Sequence, residues 1–167
     1  EILLNVYGKR NGAVAAIVDG IERDMSFVVN NNCKIEPILA DSEQGLYILR
    51  HSCAHLLAQA VVEMYPDAKP TIGPPIEHGF YYDFFMEPIG DDGLKMIEKR
   101  MNEHIRKNHS IIREEIENEE LRRIFSDNKL KIQIMDEKIG DEMESSIYRQ
   151  GDFVDLCIGP HVPSTSY

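Results

Sequence analysis

Tryptophan is absent, and cysteine is limited to Cys33, Cys53 and Cys157 in 167 residues. An odd, scattered set with no Cys-x-x-Cys pair excludes a disulfide framework and favours a reducing, cytoplasmic compartment. No stretch approaches the roughly 20 apolar residues of a membrane span, which excludes a transmembrane helix. Positive charge is also short: 18 Lys+Arg face 29 Asp+Glu, for a net charge of −11. The acidic excess is spread along the chain rather than gathered in a tail. It argues against a protein that holds nucleic acid by bulk charge, since phosphate binding runs on clustered Lys and Arg. A phosphate-cradling Gly loop, a Ser/His/Asp pattern, internal repeats and low-complexity segments are all missing as well. The chain begins at Glu1 without an initiator Met, so a piece of a longer protein is expected, and the lack of a targeting segment says little. What is present is 43% hydrophobic and 28% charged, the profile of a chain that buries a real core. Its length suits one ordinary domain, or a small domain with a partial one.

Residues 1–41 read as short strands and turns. The run Ala13–Val18 meets Asp19-Gly20, a hairpin signal, and Ser26–Val29 and Ile35–Leu39 read as further strands. A long helix follows from Glu43 to Tyr65, stopped by Pro66, with Asp41 and Gln44 resembling a capping box. At about 100° per residue, Leu49, Cys53, Leu56, Ala60 and Met64 share one face. His51 and His55 lie on the opposite side among Ile48, Ala58 and Val62, so the helix is apolar nearly all round and is expected to be buried. Residues 69–86, rich in Gly, Pro and aromatics, read as a turn and a hairpin with alternating aromatic faces. A second helix starts near Asp91-Asp92, with an outer face of Lys, Arg and Glu on which His104 reads as solvated, as does His109 just after it. Ile111–Ile116 reads as a strand and Glu119–Phe125 as a short helix. The alternation of Leu130, Ile132 and Ile134 with Lys131 and Gln133 reads as a half-buried strand. Ile147–Leu156 reads as strand leading into Cys157-Ile158-Gly159-Pro160-His161.

Two spacings carry chemistry. His51-x-x-x-His55 sets two imidazoles one helical turn apart, but Ser52 stands where a zinc peptidase has its glutamate. Cys157-x-x-x-His161 spans a Gly-Pro bend and is weak by itself, because buried cysteines usually just pack. Together they offer three His and one Cys, a set that could bind Zn²⁺ tetrahedrally. Asp155 projects to the same strand face as the Cys157 thiol. The ordinary reading of Lys131 is a solvated edge-strand lysine, and of Tyr82 a core aromatic. The residues alone therefore nominate His51, His55, Cys157 and His161, with Asp155 nearby, and leave their reaction open.

Three motifs in order carry a resemblance: Leu49-Arg50-His51-Ser52-Cys53-Ala54-His55-Leu56-Leu57-Ala58, then Ile72-Gly73-Pro74 with Gly79-Phe80-Tyr81-Tyr82-Asp83, then Asp155-Leu156-Cys157 with Gly159-Pro160-His161-Val162-Pro163. They resemble the N-terminal editing region of the threonyl-tRNA synthetase family. The resemblance implies an α+β fold in two parts. Residues 1–41 would be a partial β-grasp-like TGS domain, and residues 42–167 a tRNA-editing domain with a long buried helix against a mostly antiparallel sheet. It also implies a hydrolase that removes serine from mischarged threonine tRNA, because one methyl gives the synthetic site only about 1–3 kcal/mol of discrimination.

Carried over by position, the resemblance assigns His51, His55, Cys157, His161 and Lys131 to catalysis and Tyr82 and Asp155 to substrate binding. His51 and Lys131 would position and activate water, with Lys131 offsetting the oxyanion. Asp155 would pair with the substrate α-ammonium, Tyr82, His55 and His161 would orient substrate and water, and Cys157 would shape the pocket. Editing would need no cofactor. ATP, Mg and Zn would belong to an aminoacylation core outside this chain. Partners would be the acceptor end of threonine tRNA carrying serine and the rest of the synthetase, itself an expected homodimer, with no membrane. Ile158 stands where the family often has Arg. Two other readings are a zinc hydrolase of the related alanyl-tRNA-editing type, using His51, His55, Cys157 and His161 as ligands, and an inactive tRNA-docking module. On the editing reading, the charge of −11 implies weak tRNA binding with a shallow salt dependence.

Overall fold

A computed structural model describes residues 12–138 and 144–167, so the first part of the expected TGS-like region, residues 1–11, lies outside the described residues. Every strand pairing is antiparallel, and helices and sheets alternate along the chain in an α+β fold.

The first sheet has the order β2-β1-β3, from β1 (Ala13–Val18), β2 (Ile21–Asp24) and β3 (Ile35–Leu39). The β1–β2 turn is the two-residue Asp19-Gly20 unit, with φ of 49° and 86°, the left-handed pair that a tight hairpin requires. Pairing ends at Asp24, and Ser26–Val29 forms no strand. Phe27 and Val28 of that predicted strand are exposed. The apolar face of β1, with Val14 and Ala15, packs with Ile38 against Ile48, Ile111, Tyr148 and Val162.

Helix α1 (Glu43–Met64) is capped by Ser42, whose Oγ accepts the Gly45 N–H at 3.0 Å, rather than by the expected Asp41. Gly45 lets the helix start against the end of β3, since a Cβ there would lie 1.8 Å from the Leu39 carbonyl oxygen. The buried positions Ile48, Ser52, Ala54, His55, Leu56, Ala58 and Gln59 surround much of the axis, so the helix runs through the core as expected.

Residues 69–85 form one irregular nested hairpin. Its outer rung is β4 (Lys69–Pro70) with β7 (Phe84–Phe85), and its inner rung is β5 (Pro75–Ile76) with β6 (Gly79–Phe80). Side chains alternate as expected, with Tyr82 inward and Tyr81 outward. A Cβ at Gly73 would lie 2.1 Å from the Tyr82 ring. Helix α2 (Asp91–Lys107) packs on α1 through Ile97 and Met101. His104 on this helix is buried, contrary to its reading as solvated, because its Nε2 lies 2.9 Å from Glu63 Oε2 on α1. His109 is half-buried, with its ring 5.6 Å from that of His104.

The second sheet has the order β10-β9-β8, from β8 (Ile111–Glu117), β9 (Glu144–Gln150) and β10 (Phe153–Leu156). Between β8 and β9 run α3 (Asn118–Ile124) and α4 (Lys129–Lys138). Helix α4 replaces the strand predicted around Lys131. Asn128 Oδ1 accepts the Lys131 N–H at 3.1 Å, and Asn128, Lys131 and Met135 are buried at spacings of three and four, a helical period. Period-two alternation over five residues loses to a local cap combined with burial at helical spacing.

Candidate functional site

Helix α1 presents His51 and His55 one turn apart, and the segment after β10 brings Cys157 and His161 onto them. The His161 ring lies 4.2 Å from the rings of both His51 and His55. Cys157 Sγ is 3.3 Å from His51 Nε2 and 3.3 Å from His161 Nε2, and accepts the Gly159 N–H at 3.2 Å. The bend that achieves this passes through Gly159 at φ 79° and a cis Gly159–Pro160 peptide. A Cβ at Gly159 would lie 1.8 Å from Tyr148 Oη, so only glycine fits.

His161 is held through both ring nitrogens. Ser52 Oγ lies 2.9 Å from the Ile48 carbonyl and accepts the Val162 N–H at 3.1 Å. The same Oγ is 3.0 Å from His161 Nδ1, which turns Nε2 of the ring toward the Cys157 thiol.

A second cluster adjoins the first through His55, whose Nε2 lies 3.7 Å from Asp155 Oδ2. Asp155 comes from β10, Tyr82 from the nested hairpin and Lys131 from α4. Tyr82 Oη donates to Asp155 Oδ2 at 2.5 Å, and Leu156 N–H donates to Oδ1 at 2.9 Å. Lys131 Nζ pairs with Asp155 Oδ1 and donates to the Thr71 carbonyl at 2.7 Å and Tyr82 Oη at 3.2 Å. Its three ammonium protons thus meet three acceptors. Lys131 and Asp155 are each 2% exposed, which overturns the solvated-edge reading of Lys131. His51 and Cys157 are half-buried and form the solvent side of the site. Beside them Ile158, 89% exposed, projects into water.

All the residues singled out in the sequence therefore converge: His51, His55, Cys157 and His161 in one cluster, Tyr82, Lys131 and Asp155 in the other. Sequence reasoning missed Asp24, Ser52, Tyr148 and Thr71. Asp24, at the end of β2, accepts Tyr148 O–H at 2.7 Å and the His161 backbone N–H at 2.9 Å with its two oxygens. The Tyr148 ring meets the His161 ring edge-on at 4.4 Å. No spacing rule marks Asp24, because both of its partners are more than a hundred residues away in the chain. Asp24 and His161 also border a largely apolar cavity of about 630 Å³ between the first sheet and β8.

Electrostatically, burial favours neutral histidines and a neutral thiol, and at His51 and His55 it outweighs the nearby Asp155 charge. Burial lowers His51, His161 and His55, the last to about 4. Burial also pushes the Cys157 thiol up to about 12, so it is a thiol and not a thiolate at neutral pH. Burial alone would raise Asp155, but the ammonium of Lys131 holds its carboxyl below the usual range. Tyr82 is raised, first by burial and then by the Asp155 charge.

As a donor set, His51, His55, Cys157 and His161 place one ligand atom each within 4.8 Å of one another. Bonds of about 2.0–2.3 Å to Zn²⁺ would draw them roughly 1 Å closer. The chemistry of the set, three imidazoles and one thiol, fits zinc.

Residues 145–167 match the family described as the threonyl and alanyl tRNA synthetase second additional domain. The match takes in β10, Asp155, Cys157 and His161. Beyond it, the chain aligns with the threonine–tRNA ligase of Thermoplasma acidophilum at 48% identity, over 95% of this chain and 24% of that protein. The corresponding figures are 49%, 92% and 24% for Rubrobacter xylanophilus, and 46%, 99% and 26% for Ehrlichia chaffeensis. The chain is homologous to one region of the threonine–tRNA ligases. It spans about a quarter of the length of these ligases. No helix among the described residues is long and apolar enough to cross a membrane.

Proposed function

We propose that this chain hydrolyses the ester of serine wrongly attached to threonine tRNA, as the editing region of a threonine–tRNA ligase. In this reading residues 1–41 and 42–167 are its TGS-like and editing parts. The observation that carries the reading is the convergence of the two clusters in a chain homologous to threonine–tRNA ligases over nearly its whole length. The ligase activity of the whole protein, its ATP and metal requirements, and its partners beyond the tRNA acceptor end belong to the same proposal.

Ester hydrolysis needs a placed water, a proton acceptor and a charge to offset the oxyanion. His51, neutral and on the solvent side, is suited to accept the water proton. Lys131 supplies the only lysine ammonium in the two clusters. His55 and His161 orient the reacting groups, and Asp155 offers the carboxylate for an α-ammonium. Cys157 is unsuited to attack, because its thiol is held neutral. The distinction the reaction must make is one methyl, which separates threonine from serine.

The deciding experiment is deacylation of seryl- and threonyl-tRNA by the purified chain. Seryl-tRNA is expected to be cleaved and threonyl-tRNA spared. His51→Ala and Lys131→Ala should each slow cleavage by roughly 100-fold or more while leaving tRNA binding in place; near-wild-type rates in both would remove the assignment. The four-residue donor set favours one second reading, a zinc hydrolase. Metal analysis of the purified chain and the effect of a chelator on cleavage separate the two.

A further inference from the structure

Asp155 already carries one cation, Lys131, and His55 Nε2 stands 3.7 Å from its Oδ2. Asp155 Oδ1 is taken by the Lys131 ammonium and Leu156 N–H, and Oδ2 by Tyr82 O–H, with both Lys131 and Asp155 sealed from water. A ligand α-ammonium brought to this carboxylate would put two cations on one buried anion. Two ammonium groups on one carboxylate repel each other and compete for lone pairs that Lys131, Leu156 N–H and Tyr82 O–H already share. Lys131 has somewhere to remain when it lets go, since the Thr71 carbonyl and Tyr82 Oη hold the same nitrogen.

We propose that Lys131 acts as a built-in stand-in for the ligand ammonium: it occupies Asp155 in the empty site and is displaced when an aminoacyl group binds. Resting on the editing reading, this deepens it. Asp155 recognises the charged amine by exchange of one cation for another, and the exchange frees Lys131 from its carboxylate only when an amine is present. A ligand without a positive charge leaves the Lys131–Asp155 pair closed. Lys131 is thereby a specificity-determining residue as well as a catalytic one, and it lowers affinity for the very ligand the site accepts.

The test uses serinamide, which carries the ammonium and hydroxyl of a seryl ester without its cleavable bond, and N-acetylserinamide, which lacks the charge. In the lysine-¹⁵N-labelled chain, serinamide is expected to shift the Lys131 ammonium resonance and N-acetylserinamide to leave it in place. In calorimetry, Lys131→Met, with its fold verified by circular dichroism, is expected to bind serinamide on the order of tenfold tighter than wild type, a gain of roughly 1.4 kcal/mol. An unmoved Lys131 resonance, Lys131→Met binding no tighter than wild type, or no binding by either protein would overturn the exchange. Should Lys131→Met fail to fold, the resonance in the wild-type chain decides. Seryl-tRNA left intact by a chain that shows the exchange would refute the hydrolase reading alone.

Discussion

At the scale of single residues, the site is set by which groups are denied charge. His51, His55 and His161 all have folded-state pKa values below the ordinary 6.5. The unfolded chain therefore takes up protons on acidification before the folded chain does, and stability is lost as pH falls. For His55 that window runs from 6.5 down to about 4. Chelator-treated protein is expected to lose melting temperature progressively across that range, and His55→Gln should flatten the dependence. Equal slopes for the two proteins would show that His55 is not held neutral. Asp24 is the second single-residue test. It receives Tyr148 O–H and His161 N–H, so Asp24→Ala leaves donors on two buried residues unmatched. A cost of about 1–3 kcal/mol is expected in urea unfolding, with a fall in seryl-tRNA cleavage from a loosened His161; unchanged values for both would make Asp24 incidental.

At the scale of elements, two helices were legible to different degrees. Helix α1 announces itself through its length, Pro66 and the apolar residues all round it, and those signals place His51 and His55 correctly. Only the capping residue differs, Ser42 instead of Asp41. Helix α4 was hidden because Leu130, Ile132 and Ile134 imitate a strand while its real markers are Asn128 and the buried Lys131 and Met135. A lysine at a buried helical position looks like an exposed one until its carboxylate is known. Gly45 gives a test of opposite sign from propensity. Replacing an interior helical Gly by Ala ordinarily stabilises by up to about 1 kcal/mol. Here the new Cβ meets the Leu39 carbonyl at 1.8 Å, so Gly45→Ala is expected to lower stability by about 1–3 kcal/mol in urea unfolding.

At the scale of the molecule, the first sheet, α1 and the second sheet share one apolar core through Val14, Ile38, Ile48, Ile111 and Tyr148. The N-terminal strands thus brace the site through both that core and Asp24. The net charge of −11 offers no long-range attraction for tRNA. The isolated chain is expected to bind tRNA weakly, with a log K against log salt slope corresponding to only about one or two phosphate contacts. Filter binding between low and moderate salt measures it, and a tight, steeply salt-sensitive complex would contradict the acceptor-end reading.

The sequence by itself determined the Asp19-Gly20 hairpin, the long buried helix, the alternating aromatic hairpin and the identity of the His and Cys groups. These follow from residues within a few positions of one another, where periodicity and turn chemistry act. Only the tertiary structure decided that Lys131 is a buried ion and not a surface one, that His104 is sealed against Glu63, and that Asp24 supports His161. Each of these depends on a partner far away in the chain, and the charge or proton a buried group carries is fixed by the partners that replace its water.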